Sequence, residues 1–256
     1  MAQRPTALVT GGNRGIGRGI VVALAQRGFD VAFVDVSETE DTEHTTSLAR
    51  EAGAKVAFIR GDIAELAGHD DILHSAWDLT GHVDALVNNA GVSVPVRGDL
   101  LEVTPDQLDP VMNVNFRGTF FLTQAFARRL LASPRPEWHR AIVTVTSVNA
   151  EIIAPDRAAY CCSKTALSMM VKLFAARLAP HGIGCYELRP GIIRTDMTRV
   201  AAARYDRIIA EGAVPMPRWG EPEDVGRAAA LLCAGELTYM TGEALHVDGG
   251  LHLKRL

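Results

Sequence analysis

Thr6 to Thr10 (Thr-Ala-Leu-Val-Thr) is a short apolar run that passes without a break into Gly11-Gly12-Asn13-Arg14-Gly15-Ile16-Gly17. A helical pattern follows, Ile20, Val21, Ala23, Leu24 and Ala25, and closes near Gly28. A run apolar at every position is a strand buried on both faces, which only a sheet covered by helices on both sides provides. Strand, glycine loop and helix in immediate succession therefore commit the chain to an α/β architecture from its first residues. The same unit presents backbone N–H groups and a helix N-terminus to a pyrophosphate. A plain turn would also use glycines, but the flanking strand and helix favour a dinucleotide ligand. Gly11, Asn13, Arg14, Gly15, Ile16 and Gly17 are its candidate binding residues.

Alternation of strand and helix continues to the C-terminal region. Val31–Asp35 is a second buried strand ending in Asp35, an acid placed to accept the hydroxyls of an adenosine ribose or simply to close a strand-end turn. Ser37 to Thr46 is polar and acidic and predicts a surface connection that enters a helix near Ser47 to Ala52. Lys55–Arg60 is the third strand, with Asp62 and Ile63 beyond it, and a helix spans roughly Asp70 to Thr80. Asp84–Val87 is the fourth strand and runs into Asn88-Asn89-Ala90-Gly91. Thr104 with Pro105 is a cap and first turn; the helix they open reaches about Ser133, with an interruption near Asn113-Val114-Asn115. A turn is predicted at Pro134-Arg135-Pro136-Glu137. Ala141–Thr146 is a strand that delivers Ser147 at its end, and Gly184–Leu188 is a sixth that ends in Arg189-Pro190-Gly191. Thr198 to Gly212 predicts one short inserted helix, Pro222-Glu223-Asp224 an acidic first turn for a helix to Ala234, and Ala244–Val247 a last strand. The expected fold is one doubly wound parallel sheet of about seven strands with helices on both faces. It forms a single domain over residues 1–256, with a substrate-loop insertion at about 195–219.

Charge and composition exclude several classes. Basic and acidic residues, 26 and 30, are scattered along the chain and give a net charge of −4, with no basic block to track a phosphate backbone, so nucleic acid is not an expected partner. No apolar run reaches ~18 residues, which argues against a membrane span, and Met-Ala-Gln-Arg-Pro leads into a strand with no leader pattern, so a cytoplasmic location is expected. The 4 cysteines, Cys161, Cys162, Cys185 and Cys233, show neither a CxxC pair nor metal-site spacing and read as reduced thiols; no metal is expected. Cys161 and Cys162, adjacent on a helix, read as small packing residues. The histidines are dispersed, and His181 and His246 read as surface or strand-end residues.

Tyr160 and Lys164 stand at i, i+4 within a helical pattern and so share a face. Such a pair is often a solvated surface. It also places an ammonium beside a phenol, which predicts a phenol pKa lowered from ~10 into the range of a general acid/base.

Taken together, the motifs resemble those of the short-chain dehydrogenase/reductase family, from about Thr6 to Gly250. Thr10–Gly17 resembles its TGxxxGxG motif, and Asn88–Gly91 its NNAG. Asn115 matches its helix asparagine, Ser147 and Tyr160–Lys164 its serine and YxxxK, and Pro190-Gly191 with Thr195 its nicotinamide loop. The resemblance implies a Rossmann-type fold and an NAD(P)-dependent oxidoreductase. In it Tyr160 exchanges the proton with the substrate oxygen and Ser147 hydrogen-bonds that oxygen. Lys164 serves both the tyrosine and the nicotinamide ribose, and Asn115 fixes a relay water. It assigns the pyrophosphate to the glycine loop, the adenine side to Asp62 and Ile63, the ribose side to Asn89, Ala90 and Gly91, and the carboxamide to Pro190, Gly191, Ile192 and Thr195. A homotetramer, a dimer of dimers, is also implied, and apolar residues on more than one face of Asn113–Leu131 and Tyr160–Leu178 agree with it.

Substrate-facing positions are expected at Val92, Ser93 and Val94, at Glu151, Ile152 and Ile153, and in Met197 to Trp219, with Val200 and Met216 in the wall. They are largely apolar, which suits an acyl chain or ring ketone. The nearest resemblance is to 3-oxoacyl-[acyl-carrier-protein] reductases, although His181 stands where those members tend to carry an arginine. A polyol, sugar or hydroxysteroid dehydrogenase is the alternative, and a non-catalytic nucleotide-binding sensor a second. Trp219 either covers the site or anchors its loop. Asp35 predicts a preference for NAD(H), with NADP(H) possible through Arg14.

Overall fold

In a computed structural model, which describes residues 4–133, 135 and 138–254, the chain builds one seven-stranded parallel sheet in the order β3-β2-β1-β4-β5-β6-β7. The strands are β1 (Thr6–Thr10), β2 (Asp30–Asp35), β3 (Val56–Arg60), β4 (Ala85–Asn88), β5 (Arg140–Val145), β6 (Ile183–Pro190) and β7 (Ala244–Val247). Apart from Arg135, the turn expected at Pro134–Glu137 lies outside the described residues.

Successive side chains of a strand point to opposite faces, and the core divides accordingly. Ala7, Val9, Val31, Phe33, Val87 and Val143 pack on one face against α1 (Gly15–Gln26) and α9 (Pro222–Cys233). Leu8, Ala32, Val34, Leu86 and Ile142 pack on the other. Their partners there come from α3 (His69–Asp78), α5 (Thr119–Ala132) and α6 (Ala158–Leu178). Among the described residues no helix is long and apolar enough to cross a membrane.

The order of strands reverses between β1 and β4, and in such sheets ligands bind in the crevice beyond the carboxyl ends of the strands at that point. Register places the ends of β1 and β4 side by side, with Val9 opposite Val87. The candidate residues at strand ends, Asp35, Asn89, Ser147 and Gly191, thus share one edge of the sheet.

Two expectations are corrected. The polar stretch after β2 is not a connection up to Thr46, because α2 runs Glu40–Glu51. Thr39 and Thr42 cap its first turn reciprocally, and Glu40, Asp41 and Glu43 lie where the helix dipole favours acids. The insertion before β7 holds two helices, not one: α7 (Asp196–Arg199), opened by a Thr195–Thr198 capping box, and α8 (Ala202–Ala210). The interruption near Asn113–Asn115 is a π-helical turn over Asn113–Gly118, between α4 (Pro105–Met112) and α5.

Candidate active site

The glycine loop is built for close approach. Gly15 adopts a left-handed φ of +54°, and a Cβ there would lie 3.3 Å from Cγ2 of Thr195. A Cβ on Gly17 would collide with the Gly11 carbonyl oxygen. At the N-terminus of α1, Arg14 makes no side-chain cap and the first turn has no acid, so no side chain occupies those N–H groups. Asn89 ties the loop to the end of β4 by donating from Nδ2 to the carbonyls of Thr10 and Gly11, both at 2.9 Å. The Ala90 N–H donates to Oγ1 of Thr10 at 3.0 Å.

Asn13 and Arg14 are employed differently from the neighbouring glycines. The Asn13 side chain is spent within the protein, donating to Ser37 O at 2.7 Å and accepting from Thr42 Oγ1 at 2.9 Å. Arg14 pairs with Asp196 at 3.3 Å, bridging the glycine loop to α7. Asp35 accepts from the Asn13 and Val36 N–H groups at 3.3 and 2.9 Å. Asp62 is exposed and accepts from Ala64 N at 2.9 Å, while Ile63 is buried. Gly191 donates its N–H to Val247 O at 3.0 Å, and the Ile192 carbonyl accepts from Gly220 at 2.9 Å, which fixes the loop after Pro190. A side-chain-free cradle at a helix N-terminus, with a carboxylate at the end of the neighbouring strand, fits a dinucleotide.

Beyond the ends of β4 and β5, four polar side chains are buried together: Asn115, Ser147, Tyr160 and Lys164. Ser147 draws the Tyr160 phenol's pKa downward from beside it, and its Oγ accepts from Asn149 N at 3.1 Å. Lys164 Nζ lies 5.5 Å from the Tyr160 ring centroid and donates to Val145 O at 3.0 Å. The π-helical turn carries Asn115 inward, where Oδ1 accepts from Val92 N at 2.7 Å and Nδ2 donates to Val92 O and Ser163 Oγ, both at 3.0 Å. A Cβ on Gly91 would stand 3.5 Å from Lys164 Nζ and 3.2 Å from Asn115 Oδ1, so this turn closes over both.

The electrostatics correct one expectation. Burial pushes the Tyr160 phenol above its ordinary pKa, not below it, and the opposing pull comes first from Arg157 and then from the Ser147 hydrogen bond. Burial, with Arg157 nearby, brings Lys164 down to about 8, against a smaller upward pull from Glu187. Sequence reasoning missed Arg157, although its place three residues before Tyr160, just ahead of the helical run, was a signal.

Substrate-facing loops surround this group. Ile153 and Val200 are 85% exposed, with Met216 at 53%, and so form an apolar rim rather than a closed wall. A cavity of about 110 Å³ between the loop after β4 and the start of α6 is bounded in part by Val94, Val96, Val103 and Ala159. Trp219 is an anchor: it is buried with Ile192, Ile209 and Val214, and its indole N–H donates to Asp206 at 2.7 Å. Asp156 joins α8 to the loop after β4 by accepting from Arg97 at 3.2 Å and from Arg204 at 3.1 Å. Cys162 is exposed and Cys161 partly buried, both free thiols. His181 is exposed beside Arg177, and His246, partly buried in β7, stacks on His252.

The family described as Enoyl-(Acyl carrier protein) reductase matches residues 11–252. The chain is 32% identical to a 2-dehydro-3-deoxy-D-gluconate 5-dehydrogenase of Dickeya dadantii, over 97% of this chain and 95% of that protein. Among solved structures, a 3-oxoacyl-[acyl-carrier protein] reductase from Brucella melitensis in complex with NAD is 47% identical, covers 100% of both chains and superposes with a TM-score of 0.96. A structure from Agrobacterium tumefaciens with bound NADP is 33% identical over 96% of each chain, with a TM-score of 0.85.

Proposed function

The chain belongs to the short-chain dehydrogenase/reductase family and is an oxidoreductase, and from that premise we propose that it interconverts a ketone and a secondary alcohol as a 3-oxoacyl thioester reductase-like enzyme. The burial of Ser147, Tyr160, Lys164 and Asn115 as one group beyond the strand ends carries this reading. A bound nicotinamide cofactor supplies the hydride that the carbonyl carbon gains. Its holders are Gly11, Asn13, Arg14, Gly15, Ile16 and Gly17 for the pyrophosphate, Asp35 for the adenosine ribose, and Asp62 and Ile63 for the adenine. Asn89, Ala90 and Gly91 with Tyr160 and Lys164 serve the nicotinamide side, and Pro190, Gly191, Ile192 and Thr195 the carboxamide.

Tyr160 gives its phenolic proton to the carbonyl oxygen as charge develops there, and takes it back in the reverse direction. Ser147, held by Asn149, donates to the same oxygen and stabilises that charge. Asn115 fixes a water that relays protons to Lys164, by which Tyr160 is reprotonated from solvent. An intact set of this kind disfavours a non-catalytic sensor. The apolar rim favours an acyl chain, and Arg177 offers a cation beside His181 for an acidic carrier. A dehydrogenase acting on a polyol, sugar or steroid hydroxyl is the second reading, favoured by the name of the Dickeya relative. Assays of 3-oxoacyl thioesters, cyclic ketones and polyols with both cofactors test the choice; fastest turnover of a polyol or sugar acid would replace the first reading with the second.

NAD(H) is the preferred cofactor in this proposal. A 2′-phosphate would meet Asp35, and like charges in contact cost on the order of several kcal/mol at an effective dielectric of about 20. Arg14, the nearest offset, already pairs with Asp196, and a partly exposed pair contributes only ~0–1 kcal/mol. The kcat/KM with NADH should exceed that with NADPH by about tenfold or more, and Asp35→Ala should move the preference toward NADPH. A higher kcat/KM with NADPH in the wild type would overturn the assignment of Asp35.

A homotetramer completes the proposal. Met169 and Leu173 on α6 are 56% and 59% exposed and Phe121 on α5 38%, an apolar surface suited to a two-fold contact. Sedimentation at micromolar concentration should give four copies; a monomer alone would sink the idea.

A further inference from the structure

Arg157 ends a short turn, Pro155–Arg157, immediately ahead of α6, and is 9% exposed. Its guanidinium carbon lies 4.1 Å from the centroid of the Tyr160 ring. Its two terminal nitrogens donate to neutral oxygens, Asn149 Oδ1 at 3.2 Å and Ser93 Oγ at 3.3 Å. Nε is buried without a hydrogen-bond partner. Among the described residues no carboxylate forms an ion pair with Arg157; its neighbour Asp156 is taken up by Arg97 and Arg204.

A buried cation that lacks a counter-charge is costly to hold, so the site must recover that cost in function. We propose that Arg157 is a positioning residue for the acid/base tyrosine: the phenolate of Tyr160 is its counter-charge, and the stacked guanidinium holds that phenolate in the buried site. The proposal rests on the reading of Tyr160 as the proton-transfer group. A guanidinium stays charged throughout the working pH range and stacks flat on an aromatic face, which an ammonium does not. Lys164 sits farther from the ring and, at about 8, gives up part of its charge as the solution turns alkaline. Arg157 is thus the cation that persists at the pH where a phenolate is needed for alcohol oxidation.

The charged and titratable groups around Tyr160 are few. On its own helix they are Cys161 and Lys164, and from the turn ahead of it Arg157. From β6, Glu187 acts on Lys164. The other elements at the site offer the neutral Ser147, Ser93 and Asn115. Removing Arg157 therefore removes the largest opposition to the burial that raises the phenol.

Arg157→Gln and Arg157→Met test the idea, each checked for folding by its melting curve, with Arg157→Lys as the charge-keeping control. Two readouts are compared with wild type: the pH profile of kcat/KM, and the ultraviolet titration of tyrosinate in cofactor-free protein, taken as the difference from Tyr160→Phe. Either neutral variant should raise the apparent pKa of the tyrosine by about one unit or more, the usual effect of a cation at this range, and Arg157→Lys should return most of that shift. Profiles that superimpose on wild type in a folded neutral variant would overturn the proposal. So would an increase in KM confined to anionic substrates with no pKa shift, since Arg157 would then read the substrate. Tyr160→Phe separates the two levels: if it keeps its turnover, the assignment of Tyr160 falls; if it is inactive while Arg157→Gln is unshifted, only the role of Arg157 falls.

Discussion

Tyr160→Phe should lower turnover by about 100-fold or more, the usual worth of a positioned general acid/base, while leaving cofactor affinity nearly unchanged. The substitution removes one oxygen and little else. The ring stays buried, since Tyr160 is only 8% exposed, and Arg157 keeps a face to lie on. What disappears is the proton that reduction delivers and the oxygen that Ser147 acts on. Steady-state kinetics in both directions, with cofactor titration by fluorescence, measure the two halves; more than about a tenth of wild-type turnover would place the proton transfer elsewhere. The direction of the pH dependence follows from the same group. Reduction needs the phenol and declines as pH rises through its apparent pKa, whereas oxidation needs the phenolate and rises through that value. Lys164→Ala should impair both turnover and cofactor binding.

Glu187→Ala is expected to destabilise the fold by about 3–5 kcal/mol, the cost of breaking a buried ion pair from one side. Glu187 is 1% exposed in the middle of β6. It accepts from Thr146 Oγ1, Ser168 Oγ and Arg189 Nε, each at 2.6 Å, and from Arg189 Nη2 at 3.2 Å. Without it, Arg189, itself 6% exposed, keeps Glu151, an exposed partner, as its only carboxylate among the described residues, and the Thr146 and Ser168 hydroxyls lose their shortest acceptor, each left with a backbone carbonyl. Thermal unfolding should fall by on the order of 10 °C for a domain of this size, with Glu187→Gln milder because it keeps the shape. A loss under about 1 kcal/mol would mean that Glu151 swings in to replace it. Lys164 should respond too, since Glu187 is the group that holds its pKa up. Lys164 itself sets a sign: with its ordinary value at 10.5 and its folded value about 8, the unfolded chain holds the extra proton between the two. Its contribution to stability therefore improves as pH rises across that window.

Local signals made most of the architecture legible. The glycine loop, the Thr104-Pro105 start, the break at Asn113–Asn115 and Ser147 at a strand end each depend on residues within a few positions of one another, and each is found at the expected place in the structure. Where tertiary contacts decide, the sequence was less informative. α2 looks like a connection because few of its residues are apolar. Its start is held partly from outside, by Thr42 on Asn13 Oδ1 and Thr45 on the Asn13 carbonyl. Spacing alone shows the Tyr160–Lys164 face but not its burial, and burial reverses the direction of the phenol's pKa. Arg157 stands beside the motif in plain view; that it folds inward depends on Asn149 and on Ser93, 64 residues away.

The π-helical turn at Asn113–Gly118 places part of the site in the length of the chain rather than in its lettering. A π-helical turn holds one residue more than an α-helical turn would, and turns of this kind gather at functional sites. Deleting Val114 would leave Asn115, Ser147, Tyr160 and Lys164 all present and would let α4 and α5 join as an ordinary helix. The helix after the deletion would keep its direction, but the bulge that turns Asn115 inward would be gone, and Asn115 would leave its contacts with Val92 and Ser163. A chain can thus keep every named residue of such a site and still lack the site, so spacing within this helix has to be read alongside residue identity when related chains are compared.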